Sequence, residues 1–326
     1  MNAAAGARRS PAVECGAVRV AVVDIGTNST RLLVAEVGDD GTVQELDRRS
    51  VVTRLGQGVD ASGALADEAM GRVFATLAEY RAAIDHHGVQ RTVAVLTSAV
   101  RDAANGPEFT ARVRDEYGLD ARTIPGDEEA RLTFLGATSE RPRDGAGPAV
   151  VIDIGGGSTE YVVGDGDELL FHVSTQAGVV RQSERHLHTD PPTAEELRAL
   201  TGEVRSIIES EVPQDVRARA RAAIAVAGTA TQLAAIDQKL EPYDAAKVHG
   251  HRLSRERIAE LLQELAALPL ETRREVPGLD PARAPTIVAG AAMLVQSLDA
   301  FGLDSTEVSE HDILRGAALE AVHRTA

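Results

Sequence analysis

The sequence predicts an α/β protein of two domains, and three observations point to this fold class. The chain has 326 residues, which is more than the ~100–200 residues of one ordinary domain. Short apolar runs typical of buried strands alternate with longer segments of helical periodicity. One strand–turn–strand motif occurs twice. Because 43% of the residues are apolar, the chain can bury a sizeable core, which excludes a disordered or fibrous protein.

The elements of the first half begin after residues 1–17, which we interpret as a disordered tail. Residues 18–24 form an apolar run that ends in Asp24, as expected for a buried strand, and residues 31–37 form the returning strand of a hairpin. The pattern up to residue 138 then predicts a helix at 65–87, a strand at 92–97, a helix at 107–117, a strand at 121–124 and a helix from about Asp127.

A surface connection is predicted at residues 139–148, because this segment is rich in proline, glycine and charge. It divides the chain into an N-terminal domain of residues 18–138 and a C-terminal domain of residues 139–310. From residue 149 onward the pattern predicts strands at 149–153, 158–163, 167–174 and 222–227, and helices at 177–187, 193–210, 254–267, 282–301 and 311–323.

The repeated motif places residues 22–34 over residues 151–163, with seven of thirteen positions identical, and it pairs Asp24 with Asp153. The two copies are much farther apart than the ~20–50 residues of solenoid or propeller repeats. We therefore assign one copy to each domain and expect the two halves to face each other across a cleft.

Each copy ends its strand in an acid and continues into a glycine-rich turn with hydroxyl groups. Taken alone, either copy suits an ordinary hairpin; together they favour a binding site. Backbone N–H groups and hydroxyls donate to phosphate oxygens, and paired carboxylates suit a hard divalent cation. The candidate phosphate-binding residues are Gly26, Thr27, Asn28 and Ser29 in the first copy, and Gly155, Gly156, Gly157, Ser158 and Thr159 in the second.

Composition excludes several other classes of protein. There are 34 basic and 50 acidic residues, and the net charge of −16 disfavours nucleic-acid binding. Only two of the cations are lysines, so a phosphate clamp must use arginine. A single cysteine, Cys15, forms no internal disulfide and suits a cytoplasmic protein. No apolar stretch of 18 residues is present, so we expect no membrane span.

Six motifs in order make the chain resemble the exopolyphosphatase and guanosine pentaphosphate phosphatase (Ppx/GppA) family, in a short form without its C-terminal helical domains. The motifs are DIGTNS at 24–29, RLGQGVD at 54–60, TSAVRDAAN at 97–105, GDEEARL at 126–132, VIDIGGGSTE at 151–160 and GTATQLAA at 228–235. The resemblance implies two RNase H-like domains around a cleft, as in actin, the acetate and sugar kinases and the heat-shock ATPases. It also implies that residues 311–326 pack back on the first domain.

The resemblance further implies hydrolysis of a terminal phosphate with Mg²⁺. Glu129 is then the catalytic base, Asp153 and Glu160 are catalytic and metal-binding residues, and Asp24 is a third metal ligand. The implied substrate is polyphosphate or guanosine pentaphosphate. Because the chain lacks the helical domains of longer members, we expect a preference for short polyphosphate. The expectation of a homodimer rests on the family resemblance alone.

Two further segments are candidates for substrate binding. Ser98 and Arg101 follow a predicted strand, where Arg101 is either a phosphate ligand or a solvated cation. Gly228 and Thr229 lie where a strand meets a helix; they either bind an anion at the helix N-terminus, or Thr229 simply caps that helix.

Three alternatives to an exopolyphosphatase stay open: a guanosine pentaphosphate 5′-phosphohydrolase, a kinase of the same superfamily, and a non-catalytic sensor of guanosine phosphates. The GDEEA helix favours hydrolysis over a kinase. The histidines of His249-Gly250-His251 are interpreted as loop or capping residues, since no acid lies near them in sequence. We likewise expect no metal site at His311-Asp312, because too little sequence follows it to provide the other ligands.

Overall fold

A computed structural model of the chain describes residues 17–141, 147–166 and 168–323. The predicted disordered tail, apart from residue 17, lies outside the described residues, and so does half of the predicted connection at 139–148. Within the described ranges the chain forms two mixed β-sheets with helices packed on both, so the predicted α/β class is confirmed.

The first sheet has the strand order β3-β2-β1-β4-β5. β1 runs antiparallel to β2 and parallel to β4, which confirms the predicted hairpin. The prediction missed β3, because this edge strand is mostly polar and partly exposed and has no apolar run. The five strands identified among the described residues are β1 (Val18–Ile25), β2 (Ser29–Val37), β3 (Val43–Val52), β4 (Arg91–Leu96) and β5 (Ala121–Thr123).

The second sheet repeats this plan with the order β10-β11-β9-β6-β7-β8. β6 takes the place of β1, since it runs antiparallel to β7 and parallel to β9. The prediction missed β10 and β11, which have only three and four residues. The six strands seen in the described ranges are β6 (Ala149–Ile154), β7 (Thr159–Asp165), β8 (Glu168–Thr175), β9 (Ala222–Val226), β10 (Arg252–Ser254) and β11 (Ser305–Val308).

The longer helices agree with the predicted ones to within a few residues, except that residues 281–283 form a separate 3₁₀ turn ahead of α13. None of the described helices is long and apolar enough to cross a bilayer. The helices in these ranges are α1 (Val59–Ser62), α2 (Asp67–His86), α3 (Ser98–Asp102), α4 (Gly106–Tyr117), α5 (Gly126–Thr138), α6 (Val179–His186), α7 (Ala194–Glu211), α8 (Gln214–Arg217), α9 (Ala227–Gln238), α10 (Ala245–Val248), α11 (Arg255–Ala266), α12 (Leu270–Arg273), α13 (Ile287–Phe301) and α14 (Ile313–His323).

Helix α5 lies between the two sheets and links their cores. Its residues Ala130 and Phe134 join an apolar cluster with β6, β7 and β9, whereas Leu132 joins a cluster on the first sheet. The last helix, α14, packs against α5 and covers the same face of the first sheet. The end of the described chain therefore completes the core around its first strand.

Two glycines allow α5 and α14 to touch through their backbones. A Cβ at Gly136 would overlap the carbonyl oxygen of Asp312, and a Cβ at Gly316 would overlap that of Leu132. The crossing therefore tolerates no side chain at either position. Because α5 also carries Glu129, this close contact sets the position of a candidate catalytic residue.

We expect Gly316→Ala to lower the free energy of unfolding by about 1–3 kcal/mol, because the added methyl group overpacks the α5–α14 contact. Urea denaturation followed by circular dichroism measures this change. The control is Gly202→Ala in α7, where a Cβ meets open space and should stabilise the helix by up to ~1 kcal/mol. Equal effects of both substitutions would contradict the importance of the crossing.

Candidate active site

The two copies of the repeated motif meet at the junction of the sheets. Asp24 lies near the carboxyl end of β1 and Asp153 near that of β6, and both line one cavity of about 70 Å³. Glu129 from α5 and Glu160 from β7 line it as well. The other predicted residues that line it are Gly26, Thr27, Asn28, Ser29, Ser98, Gly155, Gly156, Ser158, Gly228 and Thr229.

Three predicted residues lie just outside this lining. Arg101 contacts Glu129 and so reaches the cavity through that carboxylate. Gly157 packs against Thr27 and Ser98. The hydroxyl of Thr159 is buried and hydrogen-bonded to the carbonyl of Ala177, so it supports the second turn rather than facing the cavity.

The two turns have the same backbone conformation and pack face to face. Gly26 N–H donates to the carbonyl of Ser29, and Gly155 N–H donates to that of Ser158, each at 3.0 Å. A Cβ at Gly156 would lie 2.8 Å from the backbone nitrogen of Asn28. The second copy therefore has glycines where the first has Thr27 and Asn28, because the turns leave no room for two sets of side chains.

Four carboxylates are buried around the cavity: those of Asp24, Glu129, Asp153 and Glu160. Burial, followed by the neighbouring Glu160, raises the pKa of both Glu129 and Asp153 well above the ordinary value. Burial also raises the pKa of Glu160 and, against the opposing effect of Arg31, that of Asp24. Burial therefore disfavours the fully ionised form of this cluster.

Hydroxyl groups orient two of these carboxylates. Ser174 Oγ donates to Glu160 Oε1 at 2.7 Å, and Thr133 Oγ1 donates to Asp153 Oδ2 at 3.4 Å. Asp24 Oδ2 accepts from Arg31 at 2.6 Å, whereas its buried Oδ1 has no hydrogen-bond partner among the described residues. An unpartnered carboxylate oxygen beside two further acids is a donor set that fits an oxygen-preferring cation such as Mg²⁺.

Cross-strand pairing makes the two copies chemically different. Asp24 faces Arg31 in the register of β1 and β2, and Asp153 faces Glu160 in the register of β6 and β7. The first pair is an ion pair, and the second brings two acids together. Arg31 is therefore suited to a phosphate, whereas Glu160 adds a further acid for a cation.

Three charged residues of this region were not predicted from the sequence. Arg31 bridges Asp24 and Asp312, and Arg283 packs its guanidinium against Gly228. The signal for Arg31 was available, since a tight hairpin places it opposite Asp24. Only the tertiary fold brings Arg283 to the cavity and Asp312 to Arg31.

Arg101 Nη1 donates to Glu129 Oε2 at 3.1 Å and to the carbonyl of Ile124 at 3.0 Å. The guanidinium is therefore not a solvated loop cation, and it orients the carboxylate. Of the neighbouring acids, Asp127 is mostly exposed, and Glu128 pairs with Arg122 away from the cavity.

Helix α9 begins at the cavity, but Thr229 does not cap it. The N-cap residue is Val226, without a side-chain hydrogen bond, and Thr229 lies within the first turn. The capping interpretation is therefore wrong. Ala227 adopts a left-handed conformation with φ of 61°, and its helix N-terminus faces the cavity with Gly228. Free N–H groups at that terminus favour an anion.

A larger cavity of about 650 Å³ adjoins the site and shares Arg31, Gly228 and Arg283 with it. Arg48 and Arg49 of β3 also line it, together with the acids Glu45 and Glu310. Tyr243, whose side chain is 44% exposed, forms part of the same wall. We call this larger cavity the outer cleft.

Comparison with known proteins gives the same family as the motifs. Exopolyphosphatase 2 of Mycobacterium tuberculosis is 40% identical over 314 residues, which cover 92% of this chain and 98% of that protein. The solved structure of an Aquifex aeolicus Ppx/GppA family member is 32% identical, with a TM-score of 0.78, over 94% of this chain and 98% of that chain.

The solved structure of an exopolyphosphatase-like protein is 35% identical and has a TM-score of 0.88, over 95% of this chain and all of the other. These structures confirm the predicted fold class. The model of the Ppx/GppA phosphatase family matches residues 33–325, which is most of the sequence. The chain therefore belongs to the Ppx/GppA phosphatase family and is a phosphoanhydride hydrolase.

Proposed function

We propose that the protein is an exopolyphosphatase, which hydrolyses the terminal phosphoanhydride bond of linear polyphosphate and releases orthophosphate. The observation that carries this proposal is the convergence of four buried carboxylates and two donor-rich turns at the inner end of an arginine-lined cleft. The named activity of the mycobacterial relative supports the same substrate.

In this proposal the terminal phosphate binds in the cavity that the two turns line. Backbone N–H groups and hydroxyls of the turns at 26–29 and 155–158, together with Ser98, donate to its oxygens. The N-terminus of α9 at Gly228 and Thr229 provides further donors from the opposite side. Such fixed donors bind the charge spread over the equatorial oxygens during phosphoryl transfer.

Glu129 is the catalytic base of the proposed mechanism. Hydrolysis requires a water molecule in line with the leaving oxygen, and a carboxylate beside it accepts the proton of that water. Arg101 orients the Glu129 carboxylate through the 3.1 Å contact. Its raised pKa makes Glu129 a stronger proton acceptor than an exposed glutamate.

Asp153, Glu160 and Asp24 would hold Mg²⁺ in this site, because they offer buried carboxylate oxygens and one of these lacks a partner. When bound, the ion supplies charge neutralisation at the phosphoryl oxygens. Ser174 and Thr133 keep the Glu160 and Asp153 carboxylates oriented toward the cavity.

The remainder of the polyphosphate lies in the outer cleft, along Arg31, Arg48, Arg49 and Arg283. Guanidinium groups recognise phosphate by paired hydrogen bonds. Glu45 and Glu310 in the same wall repel additional phosphate groups, which favours short chains over long ones.

A second candidate substrate is guanosine pentaphosphate, cleaved at its 5′ end. The half-exposed ring of Tyr243 in the wall of the outer cleft favours this alternative, because an aromatic face stacks on a nucleobase. The intact set of buried acids argues against a sensor that binds guanosine phosphates without cleaving them.

We expect Glu129→Gln to lower kcat for phosphate release from short polyphosphate by about 10²–10⁴-fold with little change in KM, because the amide cannot accept a proton. A colorimetric phosphate assay with Mg²⁺ measures the rate. The matched control is Glu128→Gln, next in the chain but paired with Arg122, which should keep near-normal kcat. Normal activity of the Glu129 variant would exclude it as the base.

The same assay compares short polyphosphate, long polyphosphate, guanosine pentaphosphate and ATP, each with and without Mg²⁺. We expect the highest kcat/KM for short polyphosphate, with Tyr243→Ala changing that value less than twofold, about 0.4 kcal/mol. Fastest turnover on chains of hundreds of units would contradict the short-chain preference. A large loss in Tyr243→Ala confined to guanosine pentaphosphate, together with a higher kcat/KM for that substrate, would favour the nucleotide instead.

The buried acids also predict how stability depends on pH. Their pKa values in the folded state are raised above the unfolded value of about 4, so their stabilising contribution is present below that pH and is lost as pH rises through the raised values. A divalent cation binds the ionised carboxylates and offsets the loss. We therefore expect Mg²⁺ to raise Tm more at pH 8 than at pH 5.

Differential scanning fluorimetry with MgCl₂ or with EDTA measures this effect. Glu160→Gln, which removes one of the charges, should show a smaller fall in Tm between pH 5 and pH 8 without metal. A Mg²⁺ effect that is the same at both pH values would argue against a metal site formed by these acids.

A further inference from the structure

Two histidines from separate segments of the chain, His249 and His311, lie beside Glu140 from a third segment. His249 belongs to the connection between α10 and β10, His311 to the connection before α14, and Glu140 follows the end of α5. One ligand atom from each lies within 4.8 Å of the others. The expectation that the histidines have no acid nearby was therefore wrong, because it considered only neighbours in sequence.

The distances suit a shared ion better than hydrogen bonds. Glu140 Oε2 lies 3.7 Å from His311 Nδ1 and 4.0 Å from His249 Nε2. Hydrogen bonds between such atoms are about 2.7–3.2 Å long. Ligand atoms around a tetrahedral Zn²⁺, with bonds of about 2.1 Å, are separated by about 3.4 Å. A contraction of a few tenths of an ångström would bring both distances from Glu140 Oε2 to that spacing.

The surroundings hold the acid in place and keep one oxygen available. Arg315 donates to Glu140 Oε1 at 2.6 Å and to Ser139 Oγ at 2.8 Å, so Oε2 is the oxygen that faces the imidazoles. Support of a ligand carboxylate by a second residue is usual in metal sites. Burial, followed by Arg315 and His249, lowers the pKa of His311 to about 4, so its ring is neutral at physiological pH.

We propose that Glu140, His249 and His311 form a site for a divalent transition metal, with Zn²⁺ as the best-matched ion. Two imidazoles and one carboxylate are a ligand set that Zn²⁺ prefers, whereas Mg²⁺ prefers oxygen alone. Three protein ligands leave a fourth position for water. The site lies apart from the catalytic cavity, since none of its three residues lines that cavity.

Binding is coupled to the segment that precedes α14. The backbone N–H of Glu310 donates to His249 Nδ1 at 3.3 Å, which places the proton of a neutral ring on Nε2. A metal on Nε2 requires the proton on Nδ1, so the Glu310 contact has to open. The next residues are His311, itself a ligand, and Asp312, which pairs with Arg31. The ion would therefore fix a segment that contacts the catalytic residues.

Isothermal titration of the full chain with ZnCl₂, in the presence of excess MgCl₂, tests the proposal. Mg²⁺ occupies carboxylate sites that compete for Zn²⁺. We expect one Zn²⁺ per chain, with the affinity lowered about a hundredfold or more in His249→Gln and in His311→Gln. The matched control is His251→Gln, which alters a histidine two residues away that pairs with Asp237 instead, and it should bind normally.

Visible absorption with Co²⁺ in place of Zn²⁺ gives a second readout that does not depend on activity. We expect the intense bands of a tetrahedral Co²⁺ ion in the wild type and in His251→Gln, and their loss in His249→Gln and Glu140→Gln. Circular dichroism of each variant confirms that it is folded. Absence of Zn²⁺ binding under excess Mg²⁺, or binding that both histidine variants retain, would overturn the proposal.

Discussion

Burial of four carboxylates at the junction of two sheets is the constraint on which the rest of this structure depends. Apposed acids in a low-dielectric site repel one another, and the ends of β1 and β6 stay together only because other contacts hold them. These contacts are the packing of Gly156 against Asn28, the Arg31 ion pair and the α5–α14 crossing. The repulsion between these acids therefore lowers the stability of the fold at this position. A bound cation, together with its polyanion, would reduce that repulsion.

The duplication is informative because it is imperfect. Equivalent positions on the returning strands hold Arg31 in one copy and Glu160 in the other, so a symmetric scaffold carries an asymmetric site. The same division of roles appears in the turns, where one copy keeps side chains and the other has glycines. A terminal phosphate has one bridging and three non-bridging oxygens, and an asymmetric cavity can bind these two sides of the group differently.

The sequence predicted those elements whose residue pattern lies within a short stretch of the chain. Strands ending in Asp24 and Asp153 stand out because they are continuous apolar runs, and the repeat showed that they are equivalent. The edge strand β3 was missed because polar and charged residues separate its few apolar ones, so that no apolar run marks it. Arg283 was missed because nothing in its neighbourhood along the chain indicates which cleft it reaches. The division into domains at residues 139–148 and the catalytic roles stay predictions.

The α5–α14 crossing also has a consequence for biosynthesis. Val20, Val22 and Leu33 of the first sheet are covered by Leu314 and its neighbours, from the end of the described chain. During synthesis, the part of that face beneath Leu314 stays open to water until α14 has been translated. The nascent chain therefore exposes an apolar surface between the synthesis of the first strands and that of α14.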